Sequence, residues 1–150
     1  MVKHATSKGE LMSKSIEGEL VLNMNALNSK IQKHISGALS VHGISFTEYT
    51  VLRQLVKANG NKMRRIDLAE QVGLSASGVT RLLNPMEKIG LVRKENNSRD
   101  ARVSLVVLSS AGNRIFNESE VSFNFEVKTF FKDFEPANFK ILANIVDSLI

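Results

Sequence analysis

Leu68 to Leu83 reads LAEQVGLSASGVTRLL, and its polar side chains are spaced for hydrogen bonding to a large polar partner. Ser75, Ser77, Gly78, Thr80 and Arg81 are small or hydrogen-bonding, while Val79, Leu82 and Leu83 are aliphatic. At helical spacing the two sets fall on opposite faces. Hydroxyls both donate and accept, and a guanidinium presents paired donors to a guanine edge or a phosphate. That chemistry is recognition. The residues of catalysis are missing by comparison: with no cysteine there is no thiol nucleophile and no zinc-thiolate site. His4, His34 and His42 are scattered, and none has a second histidine at metal-ligand spacing. No Gly-rich phosphate loop, G-x-S-x-G or H-E-x-x-H is found. No catalytic, cofactor-binding or metal residue is expected, and the chain does not read as an enzyme.

The elements that hold these residues follow from local signals. Leu68, Ala69 and Val72 are apolar at helical spacing, Gly73 suits the positive φ that ends a helix, and Ser75 is a good N-cap. Two short helices joined by a tight turn result, a unit that either reads DNA or merely builds a core. After Ile89-Gly90, Leu91–Lys94 reads as a strand, Asn96–Asp100 as a turn, and Arg102–Leu108 as a β-branched strand. A hairpin directly after two such helices makes a winged helix. Its tip carries Arg99, Asp100 and Arg102, suited to minor-groove or phosphate contact, although a solvated turn is polar too. Before the motif, Arg64-Arg65-Ile66-Asp67 lacks a Ser or Thr cap. Arg65 either contacts phosphate or is simply exposed.

Both ends of the chain are apolar helices. Ile16, Leu20, Leu27, Ile31 and Ile35 form one stripe, with Met24 on the same face. Phe123, Val127, Phe130 and Phe134 form a second, and Phe139, Leu142, Ile145 or Val146, and Leu149 a third beyond Pro136. Seven of the eight phenylalanines follow Gly112, enough to pack a core, a second subunit or a ligand cavity. Between the ends, Ser45-Phe-Thr-Glu48 fits a capping box, followed by buried-type Tyr49, Val51, Leu52 and Leu55.

At 150 residues the chain suits a single domain, 1–150. Its net charge of +5 is unevenly spread. From Arg53 to Arg102 eleven lysines and arginines face five acids, against five and four before and four and six after. The excess sits in the winged-helix segment, as a polyanionic partner requires. No segment is long and apolar enough to span a membrane and no signal peptide is evident, so the expected compartment is the cytoplasm of a prokaryote.

Leu68 to Gly112 resembles the multiple antibiotic resistance regulator (MarR) family. The matching pieces are LA-x-x-VGLS-x-S-x-VTRLL, MEKIGLV at Met86–Val92, the D-x-R of Asp100 and Arg102, and L-S-x-x-G at Leu108–Gly112. A looser likeness extends through Gly43–Leu52 and the flanking helices to about Ile16. The resemblance implies a mainly α (α+β) winged helix-turn-helix, with dimerisation helices at 16–40 and 113–150 around a DNA-binding lobe at 45–110. It further implies a cytoplasmic homodimer on double-stranded DNA with a pseudo-palindromic operator, a repressor commonly released by a small-molecule inducer or by oxidation. Without cysteine, thiol-based release is excluded. DNA contacts would fall on Arg65, Ser75, Ser77, Gly78, Thr80, Arg81, Arg99, Asp100 and Arg102. The alternative is a winged-helix protein-interaction module without specific DNA binding. Pro85 departs from the family pattern and predicts a kink or an early end of the second helix.

Overall fold

The computed structural model describes residues 15–96, 100 and 103–150. Six helices and three short strands follow in the order α1 (Ile16–Ser40), α2 (Phe46–Lys57), β1 (Lys62–Arg64), α3 (Arg65–Gln71), α4 (Ala76–Lys88), β2 (Val92–Asn96), β3 (Ser104–Leu108), α5 (Ser110–Phe130) and α6 (Pro136–Asp147). The division into compact units falls within α1, after Lys33. In the first unit the Ser15 hydroxyl accepts the Gly18 N–H at 2.9 Å, and Ile16, Leu20, Met24 and Leu27 are exposed.

The second unit, His34–Ile150, holds the core. α2 starts at the expected capping box: the Ser45 hydroxyl accepts the Glu48 N–H, and the Glu48 carboxylate accepts the Ser45 N–H at 2.7 Å. Its Tyr49, Val51, Leu52 and Leu55 are buried, together with Ile35, Leu39, Leu68, Val79, Leu83, Met86, Val106 and Phe116. Burying each large aliphatic or aromatic side chain contributes about 1.5–3 kcal/mol, so this stripe-to-stripe packing fixes where α3 and α4 lie. The Tyr49 ring stacks between Phe116 and Phe123 of α5, with centroids 5.5 and 4.6 Å away.

The sheet is antiparallel in the order β1-β3-β2, with Met63 opposite Val106 and Lys94 opposite that same residue from the other side. β1 is an element that periodicity does not reveal, because three residues are too few to alternate. The hairpin strands are also shifted from expectation. β2 begins at Val92 and runs to Asn96, and β3 begins at Ser104 rather than Arg102.

The α4–β2 connection is clamped to α5. The Ser109 hydroxyl donates to the carbonyls of Gly90 and Leu91, at 2.5 and 2.9 Å, and accepts the Gly112 N–H at 2.9 Å. Gly112 is buried so closely against this connection that a Cβ there would overlap the Leu91 carbonyl oxygen. Among the described residues no helix is long and apolar enough to cross a membrane.

Candidate nucleic-acid interface

α3 ends at Val72, and Gly73 turns the chain with φ +67°, a conformation costly for any residue with a Cβ. The Leu74 N–H returns to the Ala69 carbonyl at 2.8 Å, closing the turn. Ser75 then caps α4, its hydroxyl accepting the Gly78 N–H at 3.1 Å. A Cβ on Gly78 would lie 3.2 Å from that oxygen, so the small residue keeps the cap tight.

Along α4, Val79, Leu83 and Met86 are buried on one side. At 3.6 residues per turn, Thr80, Asn84, Ser77 and Arg81 occupy an arc of about 100° on the other. Ser77, Arg81 and Asn84 are exposed and Thr80 is half-buried at the edge of the arc. The Arg81 side chain forms no ion pair or hydrogen bond with a described residue. Ser77 shares a 3.2 Å hydroxyl contact with Ser75. The Thr80 hydroxyl donates to the Ala76 carbonyl at 2.8 Å and accepts Nη1 of Arg65 at 3.4 Å, so Arg65 links α3 to α4.

Pro85 does not end this helix early, one of the two outcomes the sequence led us to expect there: α4 runs on to Lys88. The proline removes the donor that would reach the Arg81 carbonyl, but Arg81 is an exposed residue, so the loss falls outside the core. The buried stripe Val79–Leu83–Met86 spans the proline and holds both halves in one helix. Asn84 consequently stays on the exposed arc, one turn beyond Thr80 and Arg81. Sequence reading missed it because the adjacent proline argued against helix there.

Basic side chains near the arc differ in how far they are neutralised. The Arg64 guanidinium grips Asp67 through Nε at 2.6 Å and Nη2 at 2.8 Å, and this hydrogen-bonded carboxylate raises its pKa further. The Arg64–Asp67 pair thus stands at the start of α3, which has no side-chain N-cap. Lys62 and Arg93 both approach Glu95, at 3.4 and 3.3 Å, and Lys94 lies 4.0 Å from Glu87. Arg65 and Arg81 meet no described carboxylate. Beside Arg65, a cleft of about 220 Å³ opens between the start of α3 and the root of the hairpin, lined by Arg64, Arg65, Ile66, Val103 and Ser104.

Of the remaining expected contacts, Arg99 and Arg102 lie outside the described residues. Asp100 is half-buried, and its carbonyl accepts the Val103 N–H at 3.0 Å. It therefore precedes the strand, and the period-two alternation of β3 does not extend to it. The two described histidines both meet α5: His34 lies 3.1 Å from Glu126 and against the Phe130 ring, and His42, in the turn after α1, shares a 2.8 Å hydrogen bond with Ser122. Among the described residues no cluster could hold a metal ion.

Comparison with known proteins agrees with this geometry. Residues 42–103 match the model of the MarR family. The chain is 29% identical over 112 residues to the HTH-type transcriptional repressor MdtR of Bacillus subtilis, spanning 75% of this chain and 68% of that protein. It is 24% identical over 128 residues to the HTH-type transcriptional regulator PrsX of Escherichia coli, spanning 80% and 77%. A MarR family transcriptional regulator from Streptomyces coelicolor, solved in complex with DNA, has the same fold. Its TM-score is 0.82 at 21% identity, over 94% of this chain and 90% of that one.

Proposed function

We propose that this chain, a member of the MarR family, works as a homodimeric transcriptional regulator that inserts α4 into the major groove of a pseudo-palindromic operator. The observation that carries the reading is the division of α4. Val79, Leu83 and Met86 are buried, and the opposite arc offers Ser77, Thr80, Asn84 and an arginine that no described carboxylate neutralises. Arg81 reaches a base edge or a phosphate, Ser75 and Gly78 keep the start of the helix close to the backbone, and Arg65 meets a phosphate at the cleft beside Ser104. Arg99 and Arg102 meet the neighbouring minor groove, and Asp100 orients an arginine of the wing. No chemistry of bond making is assigned to the chain, and the cytoplasm is its compartment.

A dimer is supported by surface that one chain leaves uncovered. α6 buries no residue at all, and Phe139, Leu142, Ile145 and Val146 are exposed on it, as are Ile16, Leu20, Met24 and Leu27 on α1. A second copy covering these faces sets two α4 helices about 34 Å apart, one turn of DNA. Repression released by a small molecule belongs to the same reading. A cleft of about 360 Å³ lined by Ala38, Val41, Val121, Ser122, Phe125 and Glu126, next to the His42–Ser122 hydrogen bond, offers it room.

The test is titration of the protein against its own promoter DNA and against scrambled duplex at several salt concentrations. Sequence preference that persists as salt rises supports operator binding. Equal affinity for every duplex, or none, favours the protein-interaction alternative.

A further inference from the structure

Thr80 lies where a base-reading residue would, yet its hydroxyl is already committed inside the protein. A threonine hydroxyl has one proton and two lone pairs. The proton goes to the Ala76 carbonyl at 2.8 Å, and one lone pair takes the Arg65 Nη1–H at 3.4 Å. Turning that proton toward a base opens the bond to Ala76 and exchanges one hydrogen bond for another, with little net gain. What Thr80 can offer a partner at no cost is its methyl group and a single remaining lone pair.

We infer that Thr80 reads the operator as an apolar residue, its methyl group packing on the C5-methyl of a thymine. The inference rests on the DNA-reading function proposed above and specifies the chemistry of one contact within it. Thymine alone among the four bases carries a methyl in the major groove, and apolar side-chain contact is the way that methyl is recognised. Arg65 acts here as a positioning residue: by holding the hydroxyl from the α3 side, it fixes which surface of Thr80 is free. Hydrogen-bonded readout on the arc then passes to Arg81 and Asn84, and to Ser77, whose exposed hydroxyl meets only that of Ser75 among the described residues.

The experiment uses the full-length protein and an operator selected from random duplexes. Each thymine of the selected half-site is replaced in turn by deoxyuridine, which pairs identically but lacks the methyl. Wild type, Thr80→Val and Thr80→Ser are titrated against every duplex. Valine keeps the methyl in an isosteric side chain; serine keeps the hydroxyl and loses the methyl. Wild type is expected to lose about fourfold at one thymine position per half-site, the size of one buried CH₂-equivalent, and about 15-fold when both half-sites are changed. Thr80→Val should select the same operator and show the same uracil penalty. Thr80→Ser should lose that penalty at that position and at no other.

A serine variant that keeps the penalty overturns the inference, as does a valine variant that loses sequence preference at one position, since the hydroxyl would then be the reader. Circular dichroism and thermal midpoints of both variants separate these results from misfolding, and if Thr80→Val is unstable, the wild-type and Thr80→Ser penalties alone decide. Wild-type protein that selects no operator overturns the DNA-reading function itself and this inference with it. Selection of an operator with no uracil-sensitive position overturns the thymine contact only.

Discussion

A guanidinium on the open side of α4 has two partners within reach, a base edge and a phosphate, and they leave different signatures. If Arg81 reads guanine through paired hydrogen bonds, Arg81→Ala costs about 1–3 kcal/mol and relaxes preference at one position per half-site. A phosphate contact instead lowers affinity for all sequences and reduces the salt slope by about one per subunit. Competition titrations against operators altered one base pair at a time distinguish the two, and an unchanged affinity removes α4 from the groove. Arg81 is visible in the sequence because its type and helical phase both mark it. The Arg65–Thr80 hydrogen bond is not, since its partners are fifteen residues apart and meet only after α3 packs on α4.

Among the elements, the joint between α4 and α5 depends on a missing side chain. The L-S-x-x-G pattern of Leu108–Gly112 enters the sequence reading only as a family motif, and in the structure its Ser109 caps α5. It does not announce that the same hydroxyl ties two carbonyls of the α4–β2 connection, or that Gly112 packs against Leu91. Gly112→Ala forces the two backbones apart, with an expected loss of about 3 kcal/mol. The denaturant midpoint should fall accordingly, and a midpoint equal to wild type would refute the close approach. Helices α1, α3, α5 and α6 are legible from apolar periodicity, and α2 and α4 from their caps as well. The early end expected at Pro85 is not found, because a local rule about one backbone donor is outweighed by three buried side chains that span the proline. β1 was illegible for the reason given above: only pairing with β3 makes Lys62–Arg64 a strand.

At the scale of the whole molecule, the exposed face of α6 separates folding of the chain from assembly. Ile145→Glu places a charge where one chain buries nothing, so helix content should stay as in wild type while sedimentation shifts from dimer to monomer at micromolar concentration. A monomeric wild type would dispose of the two-headed DNA model. Operator binding by the monomeric variant should weaken by orders of magnitude, because the second α4 no longer binds at high local concentration.

The stacked ring of Tyr49 also makes the protein an optical instrument. The chain has no tryptophan and one tyrosine, so its tyrosine fluorescence and tyrosinate absorbance come from a single site between α2 and α5. Burial, and next the charge of Glu120, push the pKa of that phenol above its usual 10, with Arg53 pulling the other way. Folded protein should therefore develop the tyrosinate band at higher pH than denatured protein. Because the folded form holds the proton more tightly, stability falls as pH rises above 10 and levels off beyond the folded pKa. Coincident midpoints in native and denaturing buffer would contradict the buried phenol. The same lone chromophore lets a DNA or ligand titration be followed without a label, and any spectral change on binding reports on α2–α5 packing.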